Sequence, residues 1–208
     1  MSNLEKIKNA VIRGELDQIE LLVKAAQEEK IPVKQILDLG LIAGMRSVGD
    51  CFKRNEVFIP EVMISAKAMQ TGLKLIEPLL IGEQHKSAGL IVIGTVKGDL
   101  HDIGKNLVSM MLKGAGFEII DLGIDVSPES FIAKVDQTKA KVVAMSALIT
   151  TSMPFMSKTI ALLKEKGLPV KTMVGGAPVT QQFAEEIGAD GYAADAARSV
   201  DLALELYK

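Results

Sequence analysis

From residue 89 onward, short apolar runs alternate five times with stretches of helical period, and that alternation leaves few folds open. The runs are residues 89–96 (GLIVIGTV), 117–123 (FEIIDLG), 141–148 (KVVAMSAL), 169–176 (PVKTMVGG) and 191–193. Helices are expected after them over about 104–115, 128–138, 153–166, 180–187 and 196–207. Five strands alternating with five helices require a parallel sheet covered on both faces. The fold class is therefore α/β, a doubly wound five-stranded parallel sheet of Rossmann or flavodoxin type. Such sheets take ligands at the carboxyl ends of their strands. The loops to search are those after the first, third and fourth strands.

The preceding residues follow another grammar. Residues 1–88 hold 6 of the 18 glycines and residues 89–208 hold 12. Leu4, Ile7 and Val11 lie at helical spacing behind a cap at Ser2 or Asn3, and Gly14 breaks the pattern. Leu16, Ile19, Leu22, Val23 and Ala26 form a second stripe. Pro32 opens a third, through Val33, Ile36, Leu37, Leu41, Ile42 (or Gly44), Met45, Val48 and Phe52. Pro60 opens a fourth, with Val62, Met63, Ala66, Met69, Leu73 and Ile76 facing inward, ending near Pro78 or Ile81. Four helices with short loops make a small bundle. Residues 81–89 (IGEQHKSAG) lack periodicity and read as a linker, with a hinge near 82–88. The expected domains are 1–84 and 85–208.

Composition removes several function classes. The 24 basic and 26 acidic residues leave no positive excess for a phosphate backbone, so no nucleic-acid partner is expected. No stretch approaches 18 uninterrupted apolar residues, and the N-terminus lacks the apolar core of a signal peptide. One cysteine, Cys51, cannot form an internal disulfide, and a cytoplasmic setting is expected. That cysteine with His85 and His101 is too small a set for a protein-only zinc site. Aromatic content is 4% with no Trp, which is lean for stacking bases or sugars. So few reactive side chains suggest a borrowed cofactor.

The first loop, residues 95–106 (TVKGDLHDIGKN), fails the nucleotide motifs. Gly98 and Gly104 enclose five residues where a P-loop has four, and Asn106 stands where Ser or Thr should bind magnesium. The dinucleotide fingerprint fails on the spacing of Gly94, Gly98 and Gly104, although Asp121 ends the second strand where a ribose-binding acid would sit. The same loop carries Asp99 two residues before His101. A carboxylate on one ring nitrogen fixes the tautomer of a histidine that ligates metal through the other. One such pair cannot hold a free ion, but it can give one axial ligand to a metal already held by a macrocycle. The third loop offers Ser146, Thr150, Thr151 and Ser152, the last also a candidate helix cap, and the fourth offers Gly175 and Gly176.

Asp99, His101 and Gly104 (D-x-H-x-x-G), then Ser146 and Leu148 (S-x-L), then Gly175-Gly176 resemble the cobalamin-binding signature. With the helical region before it, the chain is similar over its whole length to the cobalamin-binding module of methionine synthase. It is also similar to the corrinoid methyl-carrier proteins of methyltransferase systems. The resemblance implies a cobalamin or related corrinoid cofactor, methylcobalamin when loaded. It makes His101 the lower axial ligand to cobalt, Asp99 its hydrogen-bond partner and Ser152 the end of a His-Asp-Ser relay. Gly98, Leu100, Asp102, Ile103 and Gly104 complete the binding loop. Ser146, Leu148, Thr150, Gly175, Gly176, Ala193 and Asp195 would contact or line the channel of the nucleotide tail. Phe58 would be an apolar residue of the helical cap.

By the same resemblance, a substrate-specific methyltransferase delivers a methyl group to cobalt(I). A second methyltransferase passes it to tetrahydrofolate or coenzyme M, and a reductive activase is a further partner. The chain would then be a non-catalytic carrier subunit. Two other classes use the cofactor. A mutase subunit needs a large substrate barrel, and the helical cap argues against it. A cobalamin-dependent regulator needs a DNA-binding segment, which the charge pattern does not provide.

Overall fold

In the computed structural model, which describes residues 1–80 and 87–208, the chain forms two units, one of helices and one built on a sheet. Ser2 caps α1 (Asn3–Arg13) reciprocally. Its Oγ accepts from Glu5 N at 3.2 Å and its own N–H donates to Glu5 Oε2 at 2.8 Å. Helix α1 packs with α2 (Leu16–Glu28), burying Ile7, Ala10 and Val11 against Ile19, Val23 and Ala26. Next come α3 (Val33–Gln35), a π-helical stretch (Ile36–Ile42) and α4 (Ala43–Lys53), and then α5 (Ile59–Leu80).

The π-helical stretch resolves the ambiguous third stripe. One widened turn shifts the helical register, so Ile36, Leu37, Leu41 and Ile42 are all buried and Gly40, Gly44 and Met45 follow on the same face. Gly44 is required by close approach. A Cβ there would lie 2.7 Å from Val11 Cβ and 2.9 Å from the Lys8 carbonyl oxygen. In α5 the inward stripe holds at Val62, Ala66, Met69 and Ile76, and Leu73 is half-buried. Met63 departs from it and is exposed, because it sits about 100° round the helix from Val62. The boundary expected between residues 84 and 85, and the hinge apart from Ser87 and Ala88, lie outside the described residues.

The second unit runs β1 (Leu90–Thr95), α6 (Ile103–Gly114), β2 (Glu118–Asp121), α7 (Pro128–Thr138), β3 (Val142–Ser146), α8 (Pro154–Glu165), β4 (Lys171–Gly175), α9 (Gln181–Glu186), β5 (Gly191–Tyr192) and α10 (Ala196–Leu206). The strands pair in parallel in the order β2-β1-β3-β4-β5. Val92, Val143 and Val174 pack with Phe131, Met156 and Ile160, while Ile91, Ile93 and Leu112 are buried as well, so the sheet has no wet face at its centre. The order places the topological switch between β1 and β3, where the chain leaves one strand to one side and the other strand to the opposite side. Thr95 and Ser146 are register partners there. The loops that follow them start from this point, where a sheet of this topology has its ligand crevice. Among the described residues no helix is long and apolar enough to cross a membrane.

Candidate functional site

The crevice is organised by one buried carboxylate. Asp99 is fully buried, and each of its oxygens serves a different loop. Oδ1 takes the β1–α6 loop: it accepts the His101 backbone N–H at 3.0 Å and lies 2.8 Å from His101 Nδ1. Oδ2 takes the β3–α8 loop: it accepts from Leu148 N at 2.6 Å, Ile149 N at 3.3 Å and Ser152 Oγ at 3.0 Å. Burial pushes the carboxyl up. The N–H groups of Leu148 and His101, the His101 ring and the Ser152 hydroxyl outweigh it and hold the carboxyl well below the usual carboxylate range. An ionised carboxylate only accepts, so the proton of the neutral imidazole sits on Nδ1 and Nε2 keeps its lone pair. The His101 side chain is 54% exposed, with that nitrogen as its available ligand atom.

Ser152 is buried, and its hydroxyl also reaches the Ile149 carbonyl at 2.8 Å, so its one proton has two acceptors within reach, that oxygen and Asp99. Ser152 is not the cap of α8, which begins at Pro154 after Met153 without a side-chain cap. Leu100, Ile103, Leu148 and Ile149 are large apolar side chains left exposed on the two loops around His101. Gly98 N donates to Asp125 Oδ1 at 2.7 Å, which ties the histidine loop to the β2–α7 loop. Asp102 accepts from Asn106 Nδ2 at 3.0 Å.

The glycines divide into two kinds. A Cβ on Gly176 would fall 1.8 Å from the Ala147 carbonyl oxygen, and one on Gly175 would fall 2.9 Å from that of Ala193. Their lack of side chain is accounted for by loop packing within the chain. A Cβ on Gly104 would meet nothing within 4 Å, so the protein's own packing gives no reason for a glycine there.

Ser146 ends β3 beside Gly175, and Thr150 is exposed in the following loop. Ala193 is buried after β5, and Asp195 caps α10 by accepting from Arg198 N at 2.7 Å. The structure thus brings Asp99, His101, Leu148 and Ser152 into direct contact. It leaves Asp195 engaged at a helix end and puts Phe58, exposed, on the helical unit.

Several contacts were outside the sequence reading. Ile149 N binds Asp99, Thr95 Oγ1 binds the His101 carbonyl, and buried Lys105 pairs with Asp121. Asp121, considered above as a ribose-binding acid, is occupied by that lysine and by Gly123 N. A Lys near the start of one helix and an acid at the next strand's end was the available signal.

The donor set limits how a metal could be held. Among the described residues no three His, Cys, Asp or Glu side chains are grouped to hold an ion. A single oriented imidazole with exposed apolar side chains on the same loops would suit a metal whose other ligands come from a macrocycle.

Comparison with known proteins agrees. Two family descriptions match the chain, both a B12 binding domain, over residues 89–201 and 3–77. The chain is 47% identical over 205 residues to the dimethylamine corrinoid protein 3 of Methanosarcina acetivorans, covering 98% of this chain and 96% of that one. It is 42% identical to the trimethylamine corrinoid protein of Methanosarcina barkeri, covering 99% and 100%. Among solved structures, the methanol:cobalamin methyltransferase complex of Methanosarcina barkeri matches with a TM-score of 0.90 at 31% identity, covering 99% of this chain and 79% of that one. The oriented His101, the fold and these matches converge: the chain belongs to the family of B12-binding corrinoid proteins.

Proposed function

We propose that this chain is a methyl carrier, handing a methyl group from a substrate-specific methyltransferase to a second methyltransferase that uses tetrahydrofolate or coenzyme M. When bound, the corrinoid supplies a cobalt that accepts and releases the methyl group. The observation that carries the reading is the half-exposed His101 ring, tied by Nδ1 to a buried, ionised Asp99. Asp99 orients the imidazole and fixes its tautomer, so that Nε2 would be the atom offered to the cofactor's metal. Ser152 steadies the far oxygen of Asp99. Leu100, Ile103, Leu148 and Ile149 are exposed apolar side chains that would hold the macrocycle and keep water from it.

Gly104 leaves room for the ligand, and Ser146, Thr150, Gly175, Gly176 and Ala193 lie along the sheet edge assigned to the nucleotide tail. Phe58, exposed on the helical unit, is assigned to the cap. The relatives named for dimethylamine and trimethylamine, and the solved complex named for methanol, support a methylamine or methanol methyltransferase as the first partner. A reductive activase completes the partner set, and the setting is cytoplasmic.

The test is reconstitution with corrinoid. The loaded protein should show nitrogen splitting in the paramagnetic resonance of its cobalt(II) form, and His101→Ala should abolish it. Methyl-loaded protein should be demethylated by a second methyltransferase with its acceptor. An unchanged spectrum in His101→Ala rejects the ligand assignment. Retention of the methyl group across both acceptors with their cognate enzymes rejects the carrier.

A further inference from the structure

Thr95 is the last residue of β1, and its side chain is fully buried. Its Oγ1 donates to the carbonyl oxygen of His101 at 2.9 Å. The bond closes the loop 95–101 on itself, from the strand end to the histidine. Thr95 is itself held on several sides. Its N–H donates to the Gly123 carbonyl at 3.0 Å, its carbonyl accepts from Val126 N at 2.9 Å, and it stands in register with Ser146 of β3. A β-branched side chain has few rotamers, so a hydroxyl mounted on so fixed a backbone is a stationary donor.

A count of the hydrogen-bonding groups of His101 shows what this does. Asp99 Oδ1 takes its backbone N–H and its Nδ1, and Thr95 takes its backbone carbonyl. Nε2 is the group left without a partner among the described residues. The Asp99 contacts fix the ring and one side of the peptide. They leave the carbonyl side of the residue free to turn about its Cα, the anchor from which the ring projects. The Thr95 bond removes that freedom.

We infer that Thr95 is a positioning residue, whose hydroxyl pins the backbone of His101 so that Nε2 presents one direction to the cofactor. The inference rests on the reading of His101 as the cobalt ligand. Thr95 does not touch the cofactor. It acts through the carbonyl of His101, whereas Asp99 holds the ring and the backbone N–H.

The test compares Thr95→Val, which keeps shape and removes the hydroxyl, with Thr95→Ser, which restores it. In the full-length, corrinoid-loaded protein, the ratio of nitrogen-ligated to unligated cobalt(II) is read from paramagnetic resonance. Losing one hydrogen bond to a positioned carbonyl should lower that ratio about fivefold to tenfold in Thr95→Val, with recovery to near wild type in Thr95→Ser. In the cofactor-free chain, nitrogen NMR of the His101 ring should show a single Nδ1–H form in wild type and Thr95→Ser, and averaging in Thr95→Val. Thr95→Ala replaces Thr95→Val if thermal unfolding shows the latter misfolded.

A folded Thr95→Val with a ligation ratio within twofold of wild type overturns the inference. So does a loss that Thr95→Ser fails to restore, which would make the role one of packing. If wild type shows no nitrogen splitting, the cobalt-ligand reading has failed on its own. The NMR of the cofactor-free chain then decides Thr95: averaging of the ring in Thr95→Val supports its hold on His101, and an unchanged ring overturns it.

Discussion

The two units bury polar groups very differently. Among the described residues the helical unit buries one polar side chain, Ser65, whose Oγ donates to the Ile12 carbonyl at 3.2 Å. The sheet unit buries Thr95, Asp99, Lys105, Ser109, Ser152, Thr159, Thr172 and Ser199. Four of those, Thr95, Asp99, Lys105 and Ser152, belong to the loops or first helical turn around the β1–β3 switch or to the strand end that feeds it. A buried polar group costs stability unless it is fully partnered, so a fold gathers such groups only where their directionality is needed. The helical unit is held by shape, at positions such as Gly44 against Val11. The edge of the sheet unit is held by direction.

The hardest way to break that contrast is to remove its centre. Asp99→Ala leaves the N–H groups of His101, Leu148 and Ile149, the His101 ring and the Ser152 hydroxyl without their shared acceptor. Urea unfolding should show a loss of about 3 kcal/mol, against about 1 kcal/mol for Ser65→Ala. Equal losses would erase the distinction. The acid side gives a second reading of the same residue. The folded carboxyl lies below its unfolded value, so its stabilisation is present above the ordinary aspartate range near pH ~4 and is lost as pH falls toward the folded value. Below that range wild type should lose stability with a slope that Asp99→Asn lacks. Parallel acid profiles would show that the hydrogen bonds do not favour the charged form.

The contrast also explains what the sequence disclosed. Strands and helices of the sheet unit were legible because period and length are local: 128–138 was expected as a helix and α7 is Pro128–Thr138. In the helical unit the stripes were legible, but the π turn was not. It goes with a tertiary feature, the approach of the Gly40 and Gly44 backbone to Ile7 and Val11. At the site, the Asp99–His101 contact follows from a two-residue spacing. The N–H groups of Leu148 and Ile149 reach Asp99 from some fifty residues away. Nothing local to residues 148 and 149 announces a carboxylate. Thr95 was hidden for the same reason: a threonine ending an apolar strand looks like any β-branched residue until its hydroxyl is seen to face the carbonyl of His101.

A smaller effect separates the paired glycines from their neighbours. Gly176 has φ +128, and an added Cβ would fall 1.8 Å from a backbone oxygen rather than from a side chain that could move aside. Gly176→Ala should therefore cost about 2 kcal/mol in the cofactor-free protein, seen as a lowered thermal midpoint. A neutral result would mean that the loop after β4 is free to shift, and would return the glycine pair to a role defined by ligand contact alone.

Gly104 carries the smallest expected change and the opposite sign. It is the second residue of α6, in a helical conformation, with open space where a Cβ would go. Alanine there gives up less backbone entropy on folding, so Gly104→Ala should stabilise the cofactor-free chain by about 0.5 kcal/mol. The same methyl group would occupy space that the protein leaves empty in the turn after His101. Corrinoid affinity, read by titration into the cofactor-free chain, should therefore fall as stability rises. The pairing of the two signs is the informative part. A glycine kept for the fold loses stability when replaced, as Gly176 should, whereas a glycine kept for a ligand gains stability and loses binding. If Gly104→Ala gains stability and binds corrinoid as tightly as wild type, the open space at the start of α6 is not part of the cofactor's seat. The apolar rim of Leu100, Ile103, Leu148 and Ile149 must then carry that surface without it.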